Sequence, residues 1–205
     1  MEDLTLDDNL ISEGNEELLI RIETDPNLLI PVPRLENHTE LELEGLISSM
    51  IRTCKIYNTL GAAANQFEGT DSDKSVLVYL DQKTNQFTHM INPEIVAVSE
   101  KLQYQKESSL NHPYLQLSVY RPQTITVKYQ TKEDTTTHTE VFYEKNAIIL
   151  SQLIQTLDGL FFGSNVSASE LRRGKNKRRM NEKRYKKRME DFINEMRTDV
   201  KLNLA

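Results

Sequence analysis

The sequence predicts an α+β fold, with antiparallel sheets around a central buried helix and a basic helix at the C-terminal end. Three observations predict it. Strand-like runs recur between residues 76 and 143, residues 146–160 are apolar on nearly every face, and helical spacing of apolar residues appears on either side of these segments. A helix that is apolar all round belongs inside a core.

The elements follow in chain order. Residues 1–25 carry nine acids and one base, Arg21, with a single apolar cluster at Leu18-Leu19-Ile20. Such a composition reads first as a disordered arm and second as a docking strand. Leu28 to Pro33 contains two prolines, which remove backbone donors and hold their predecessors extended, so this run should lie along the body. A capping box, Thr39-x-x-Glu42, opens a helix in which Leu43, Leu46, Ile47, Met50, Cys54 and Tyr57 repeat at three-to-four spacing. That helix should stop near Gly61, where small residues up to Gln66 let another backbone come close. Strands are expected at Val76–Leu80, Thr88–Val98 with a break at Asn92-Pro93, Leu115–Tyr120, Thr124–Tyr129 and Thr137–Tyr143. The buried helix should begin at Asn146 as its cap and stop at Gly159. A last helix begins after Gly163-Ser164-Asn165, with an apolar stripe through Tyr185, Met189, Phe192 and Met196.

With 205 residues, the chain suits one domain plus tails: an acidic arm at 1–25, a body at 26–163 and a basic tail at 164–205. No stretch reaches the roughly 20 apolar residues of a membrane span, and the acidic N-terminus is unlike a secretory leader. The expected setting is the cytoplasm, with no membrane partner. Cys54 is the single cysteine, which excludes an internal disulfide framework. The formal net charge of −6 hides a polar split: residues 172–188 hold eleven Lys/Arg against Glu182, which leaves −16 on the other 188 residues.

Motifs in the middle of the chain resemble those of the peptide deformylases over roughly residues 25–163. Thr59-Leu60-Gly61-Ala62-Ala63-Ala64-Asn65-Gln66 resembles the family's glycine-alanine-glutamine segment, Glu107-Ser108-Ser109-Leu110-Asn111 its cysteine-bearing loop, and Ser151 to Thr156 its histidine-bearing helix. Ile91-Asn92-Pro93-Glu94 and Arg121-Pro122 to Val127 match segments between them. The resemblance implies a peptide-deformylase-like α+β fold. In that family a cysteine and two histidines hold a divalent metal whose water attacks a formyl group, while a glutamate moves the proton. Carried over by position, the cysteine is Ser109, the histidines are Gln152 and Thr156, and the glutamate is Leu153. Neutral hydroxyl and amide groups give a dication no balancing charge, and Leu153 accepts no proton. Gln66 and Leu110, which in the family position the carbonyl oxygen, are kept.

These substitutions lead to the expectation of no metal and no cofactor, with Ser109, Gln152, Gln155 and Thr156 bonding one another where the metal would sit. His112 and His89 are the only replacement ligands within expected reach for an active enzyme with displaced ligands. Ser109 as a nucleophile lacks a histidine at a predictable position. His38 and His138 read as solvated. The expected function is that of a catalytically inactive pseudoenzyme serving as a structural or assembly component, such as part of a phage virion or tail baseplate, through protein partners. The alternative is a ribosome- or nucleic-acid-binding factor. Its partner-binding residues would be Arg172, Arg173, Lys175, Lys177, Arg178, Arg179, Lys183, Arg184, Lys186, Lys187 and Arg188, with Met189, Phe192 and Met196 as the apolar stripe. Tyr185 is the lone aromatic of the cluster, so base stacking would add little.

Overall fold

A computed structural model describes residues 18–36 and 40–202, without the side chains of 40–42, 70 and 188–202. The capping box at Thr39, His38 and the stripe residues Met189, Phe192 and Met196 therefore lie outside the described side chains. Among the described residues there are three α-helices and seven strands: α1 (Glu40–Ile56), β1 (Gly61–Ala63), β2 (Val76–Asp81), β3 (Gln86–Val98), β4 (Leu102–Ser109), β5 (His112–Pro122), β6 (Thr124–Gln130), β7 (His138–Tyr143), α2 (Glu144–Leu157) and α3 (Ala168–Leu202). All strand pairings are antiparallel, in a five-stranded sheet of order β1-β2-β3-β6-β7 and a two-stranded sheet β4-β5. The expected α+β class is observed.

Strand β2 explains the layering. Its side chains alternate between two faces, so Val76 and Val78 meet α1 while Leu77 and Tyr79 meet α2. Both faces are covered, which is why β2 reads as a continuous apolar run. Leu43, Leu46, Ile47, Met50 and Cys54 of α1 fill one side; Leu150, Leu153, Ile154 and Leu157 of α2 fill the other, against Met90, Ile125, Val127 and Phe142. Burial pushes the Cys54 thiol up to about 12. A third cluster joins Leu115, Leu117 and Val119 of β5 to Phe162 and Leu171. It seats the first turns of α3 on the two-stranded sheet.

Several expectations need correction. The arm is docked from residue 18 onward: Ile20 bridges Phe67, Arg21 N–H donates to the Gln66 carbonyl at 2.9 Å, and Glu68 N–H to that of Leu19 at 2.8 Å. Leu28 and Leu29 form a 3-10 turn capped by Asp25 before the chain becomes extended, because Pro26 fits a helical first position. The loop expected at 107–111 is the end of β4 and a two-residue turn, and β1 is a strand too short to show a period. Helix α2 begins three residues early, with Tyr143 at its N-cap; Asn146 instead donates to Asp81 Oδ1 at 2.5 Å and accepts from Gln82 N–H at 3.0 Å. Gly159 does stop the helix, at φ 71°. Among the described residues no helix is long and apolar enough to cross a membrane.

Candidate active-site cleft

Gln66 organises the site. Its Oε1 accepts the Ala63 N–H at 2.9 Å, which fixes the side chain, and its Nε2 donates to Asn111 Oδ1 at 2.6 Å and Ser109 Oγ at 3.3 Å. Asn111 returns two bonds through Nδ2, to the Gln66 carbonyl at 3.0 Å and the Arg21 carbonyl at 2.8 Å. Gln66 and Asn111 are both buried, so this closed set of partners meets the requirement that buried polar groups be paired. Gly61 lets β1 pass close to α2, since a Cβ there would lie 2.6 Å from the Val78 carbonyl oxygen and 2.8 Å from Leu153 Cδ1.

Beneath the turn lies a buried ionic group. Arg121 grips Glu107 through two bonds of 2.8 Å, donates to Gln155 Oε1 at 2.5 Å and reaches the Phe162 carbonyl at 3.3 Å. It ties β4 to β5, to α2 and to the loop before α3. Such a two-pronged pair fixes direction as well as distance.

A cleft of about 560 Å³ opens above these groups, lined by Gly61, Gln66, Ser109, Leu110, Gln152 and Leu153 among others. A second cavity of about 380 Å³ lies on the other side of the β4–β5 turn, between the arm and α3, with Glu23, His112, Thr156, Phe161, Lys175 and Arg178 in its wall. Ser109 and His112 line both. The His112 ring lies 4.8 Å from Phe161 and 5.6 Å from Phe162, and its Nδ1 is buried without a partner. Burial lowers the His112 pKa, with Glu23 opposing and Arg178 adding to the effect, so the imidazole is neutral at pH 7.

The sequence-predicted positions Gln66, Ser109, Leu110, Gln152, Leu153 and Thr156 do come together, but their bonding differs from the expectation. Ser109, Gln152, Gln155 and Thr156 do not bond one another through their side chains. Gln152 donates to the Ser108 carbonyl at 2.7 Å, Thr156 to the Gln152 carbonyl at 2.9 Å, and Gln155 is drawn away to Arg121 and the Phe161 carbonyl. Leu153 is a core residue. His89 lines neither cavity: its Nε2 accepts the Lys132 N–H at 3.0 Å in the β6–β7 loop. His138 sits 3.5 Å from Asp134 and packs on Tyr129. Among the described residues no three His, Cys, Asp or Glu side chains converge as metal ligands. The hydroxyls and amide at Ser109, Thr156 and Gln152 lack the charge and softness a zinc- or iron-type dication needs, so these residues do not fit one.

Sequence reasoning overlooked three participants: Arg21, Asn111 and the opposition of Ser109 to His112. The last had a signal, since a serine and a histidine separated by two residues face each other when those two form a hairpin turn.

On α3, Arg172, Arg173, Lys175, Lys177, Arg179, Lys183, Arg184, Lys186 and Lys187 are exposed, while Arg178 is half-buried and bound to Glu23 at 2.5 Å. Arg188 falls outside the described side chains.

Residues 19–172 match the family model described as polypeptide deformylase. A peptide deformylase of Natranaerobius thermophilus is 31% identical over 146 residues, which are 70% of this chain and 88% of that protein. The crystal structure of a peptide deformylase from Thermotoga maritima is similar at 25% identity and TM-score 0.67, over 74% of this chain and 99% of its own. A class I type b peptide deformylase from Acinetobacter baumannii, in a Met-Ala-Ser-bound crystal structure, matches at 23% identity and TM-score 0.66, over 74% and 99%. These likenesses overturn the expected catalytically inactive pseudoenzyme serving as a structural, virion or baseplate component. The relatives are enzymes, they match along nearly their whole length, and the departures at Ser109, Gln152 and Leu153 leave a cleft of about 560 Å³ in place.

Proposed function

Because the chain belongs to the polypeptide deformylase family, we propose that it acts on peptide N-termini in the cleft between β1, the β4–β5 turn and α2, removing an N-terminal formyl group. One observation carries this reading: the Gln66 amide, locked by Ala63 N–H, points its Nε2 at Ser109 from the cleft wall. The Ala63 and Asn111 bonds hold this amide in place before substrate arrives, so a small exchange of its 3.3 Å bond to Ser109 Oγ lets it hold a carbonyl oxygen that gains charge. The cleft volume of about 560 Å³ lies in the usual range for small ligands, about 300–1,000 Å³. A neighbouring fold with a Met-Ala-Ser peptide bound supports a short peptide as occupant. The test is formate release from formyl-methionyl-alanyl-serine, with and without added zinc, iron, nickel or cobalt. Release is expected, and release that Gln66→Ala depresses supports the role of the amide. No release under any of these conditions overturns the reading.

A second proposal concerns α3. Nine exposed Lys/Arg side chains on a helix anchored to β5 form a fixed basic face, suited to the phosphates of ribosomal or other RNA. Binding should weaken steeply between 50 and 200 mM salt, by roughly 10³-fold or more for six contacts. Glutamine at Lys183, Arg184, Lys186 and Lys187 should reduce both affinity and salt slope. A salt-independent interaction, or none, counts against it.

A further inference from the structure

The donor set around the cleft does not fit a metal, so the reaction needs another nucleophile, and the hairpin supplies one. We propose that Ser109 and His112 form a nucleophile–base pair at the β4–β5 turn, a reading that rests on the deformylation proposed above.

Four observations lead there. Ser109 and His112 are directly opposed partners in the β4–β5 ladder, separated by Leu110 and Asn111. Opposed residues on one face of an antiparallel pair have Cβ atoms about 4.5–5.5 Å apart, close enough for a hydroxyl and an imidazole to meet after a rotamer adjustment. Contacts between catalytic groups are often longer before substrate binds. Ser109 Oγ accepts from Gln66 Nε2, which leaves its own O–H free to donate. His112 is a neutral base with a buried Nδ1 that has no partner, packed against Phe161 and Phe162. Glu107, the carboxylate in the same wall, is tied by both oxygens to Arg121 and is not available as a base.

The chemistry balances without a co-reactant other than water. Ser109 Oγ bonds to the formyl carbon while its proton passes to His112, and the carbonyl π pair moves onto oxygen beside Gln66 Nε2. Collapse restores the carbonyl and breaks the C–N bond, whose electron pair goes to nitrogen, and nitrogen takes the proton from His112. The free amine leaves, and Ser109 holds a formyl ester. Water then adds to that ester, giving a proton to His112; formate departs and Ser109 regains its proton. Glu23, in the wall of the second cavity, favours the imidazolium that forms in each half, and Arg178 moderates it.

A serine-reactive fluorophosphonate and a formyl-methionyl peptide test this on the full chain without added metal. Intact-mass and peptide analysis should place the probe on Ser109. Labelling should be lost in Ser109→Ala, and formate release should fall about 10²–10⁴-fold in Ser109→Ala and in His112→Gln, the range of a lost acid–base group. Unfolding midpoints near wild type show that both variants fold, with His112→Asn in reserve. Labelling of Ser109 that depends on His112, with release insensitive to chelator, supports the pair. Formate release that persists in Ser109→Ala overturns it and leaves the proposed function standing. Labelling without release from any formyl peptide removes the proposed reaction and keeps the nucleophile. Neither labelling nor release overturns both.

Discussion

Replacing Arg121 with leucine should be among the most damaging single changes in this chain. Arg121 is 6% exposed and its guanidinium makes four bonds, two to a Glu107 that is itself 4% exposed, one to Gln155 and one to the Phe162 carbonyl. Leucine fills part of the space but leaves Glu107 buried without its cation, and breaking such a pair from one side costs about 3–5 kcal/mol. With a urea dependence of about 2 kcal/mol per molar, that is a fall of about 2 M in the unfolding midpoint. The pair itself is a different matter, since two buried charges replaced together leave nothing unpaired. The double variant Arg121→Leu with Glu107→Leu should therefore lose less than the sum of the two single losses, by about 1–3 kcal/mol of coupling. Equilibrium urea unfolding of wild type, both single variants and the double variant measures the cycle. A single-variant loss under about 1 kcal/mol, or costs that simply add, would refute the reasoning.

Three further outcomes are expected. Gly174→Val should loosen α3, because a Cβ there meets Leu117 Cδ2 and lies 3.0 Å from the Gln116 carbonyl oxygen; overpacking of about 1–3 kcal/mol should appear as faster tryptic cleavage at Arg172–Arg179, and unchanged cleavage counts against it. Asn111→Ala leaves the Arg21 and Gln66 carbonyls and the Gln66 amide short of a partner, so it should cost about 1–3 kcal/mol and speed amide exchange at Arg21, while exchange equal to wild type counts against the strap. Acid should destabilise the fold through His89. Burial lowers its folded pKa below 6.5, with Glu133 and Glu44 opposing and Lys132 adding, so the unfolded chain takes up the proton first and stability falls as pH drops from about 7.5 to 5.5. His89→Gln should flatten that slope in urea midpoints, and a slope equal to wild type would count against His89 as its source.

What could be read from the sequence followed from periodicity. Leu43, Ile47, Met50 and Cys54 sit where helical spacing put them, and the apolar run in α2 lies under the sheet because nearly every face of it is covered. Gly61 meets the close approach that its small neighbours imply. From Leu18 onward the disordered reading of the arm was wrong, because its acidic composition outweighed Leu18-Leu19-Ile20, whereas two backbone bonds and the Glu23–Arg178 pair fix that end. Strand β4 escaped notice because five of its eight residues are exposed and its pattern lacks a clear period of two. Losing that strand meant losing the ladder, and with it the facing of Ser109 and His112. At the site itself, residue types suggested a set of polar side chains satisfying one another. The actual partners are mostly backbone carbonyls, which no residue list reveals.

The turn at Leu110–Asn111 gains its fixed position from elements remote in sequence. Asn111 bonds to Arg21 in the arm and to Gln66 after β1, and Arg21 N–H in turn holds the Gln66 carbonyl, so three segments close on one point. Arg21 is itself held, by Asp25 at 2.6 Å and Ser72 at 2.8 Å. On the other side, Arg121 and Glu107 pin the strands that lead into and out of the turn. A group that must meet a substrate carbonyl to within a fraction of an ångström needs this kind of support on both sides. In a metal site part of that rigidity comes from the ion that joins the ligands. Here the arm and the buried arginine provide it, and Ser109 is placed between them with an amide donor on one side and a neutral imidazole on the other.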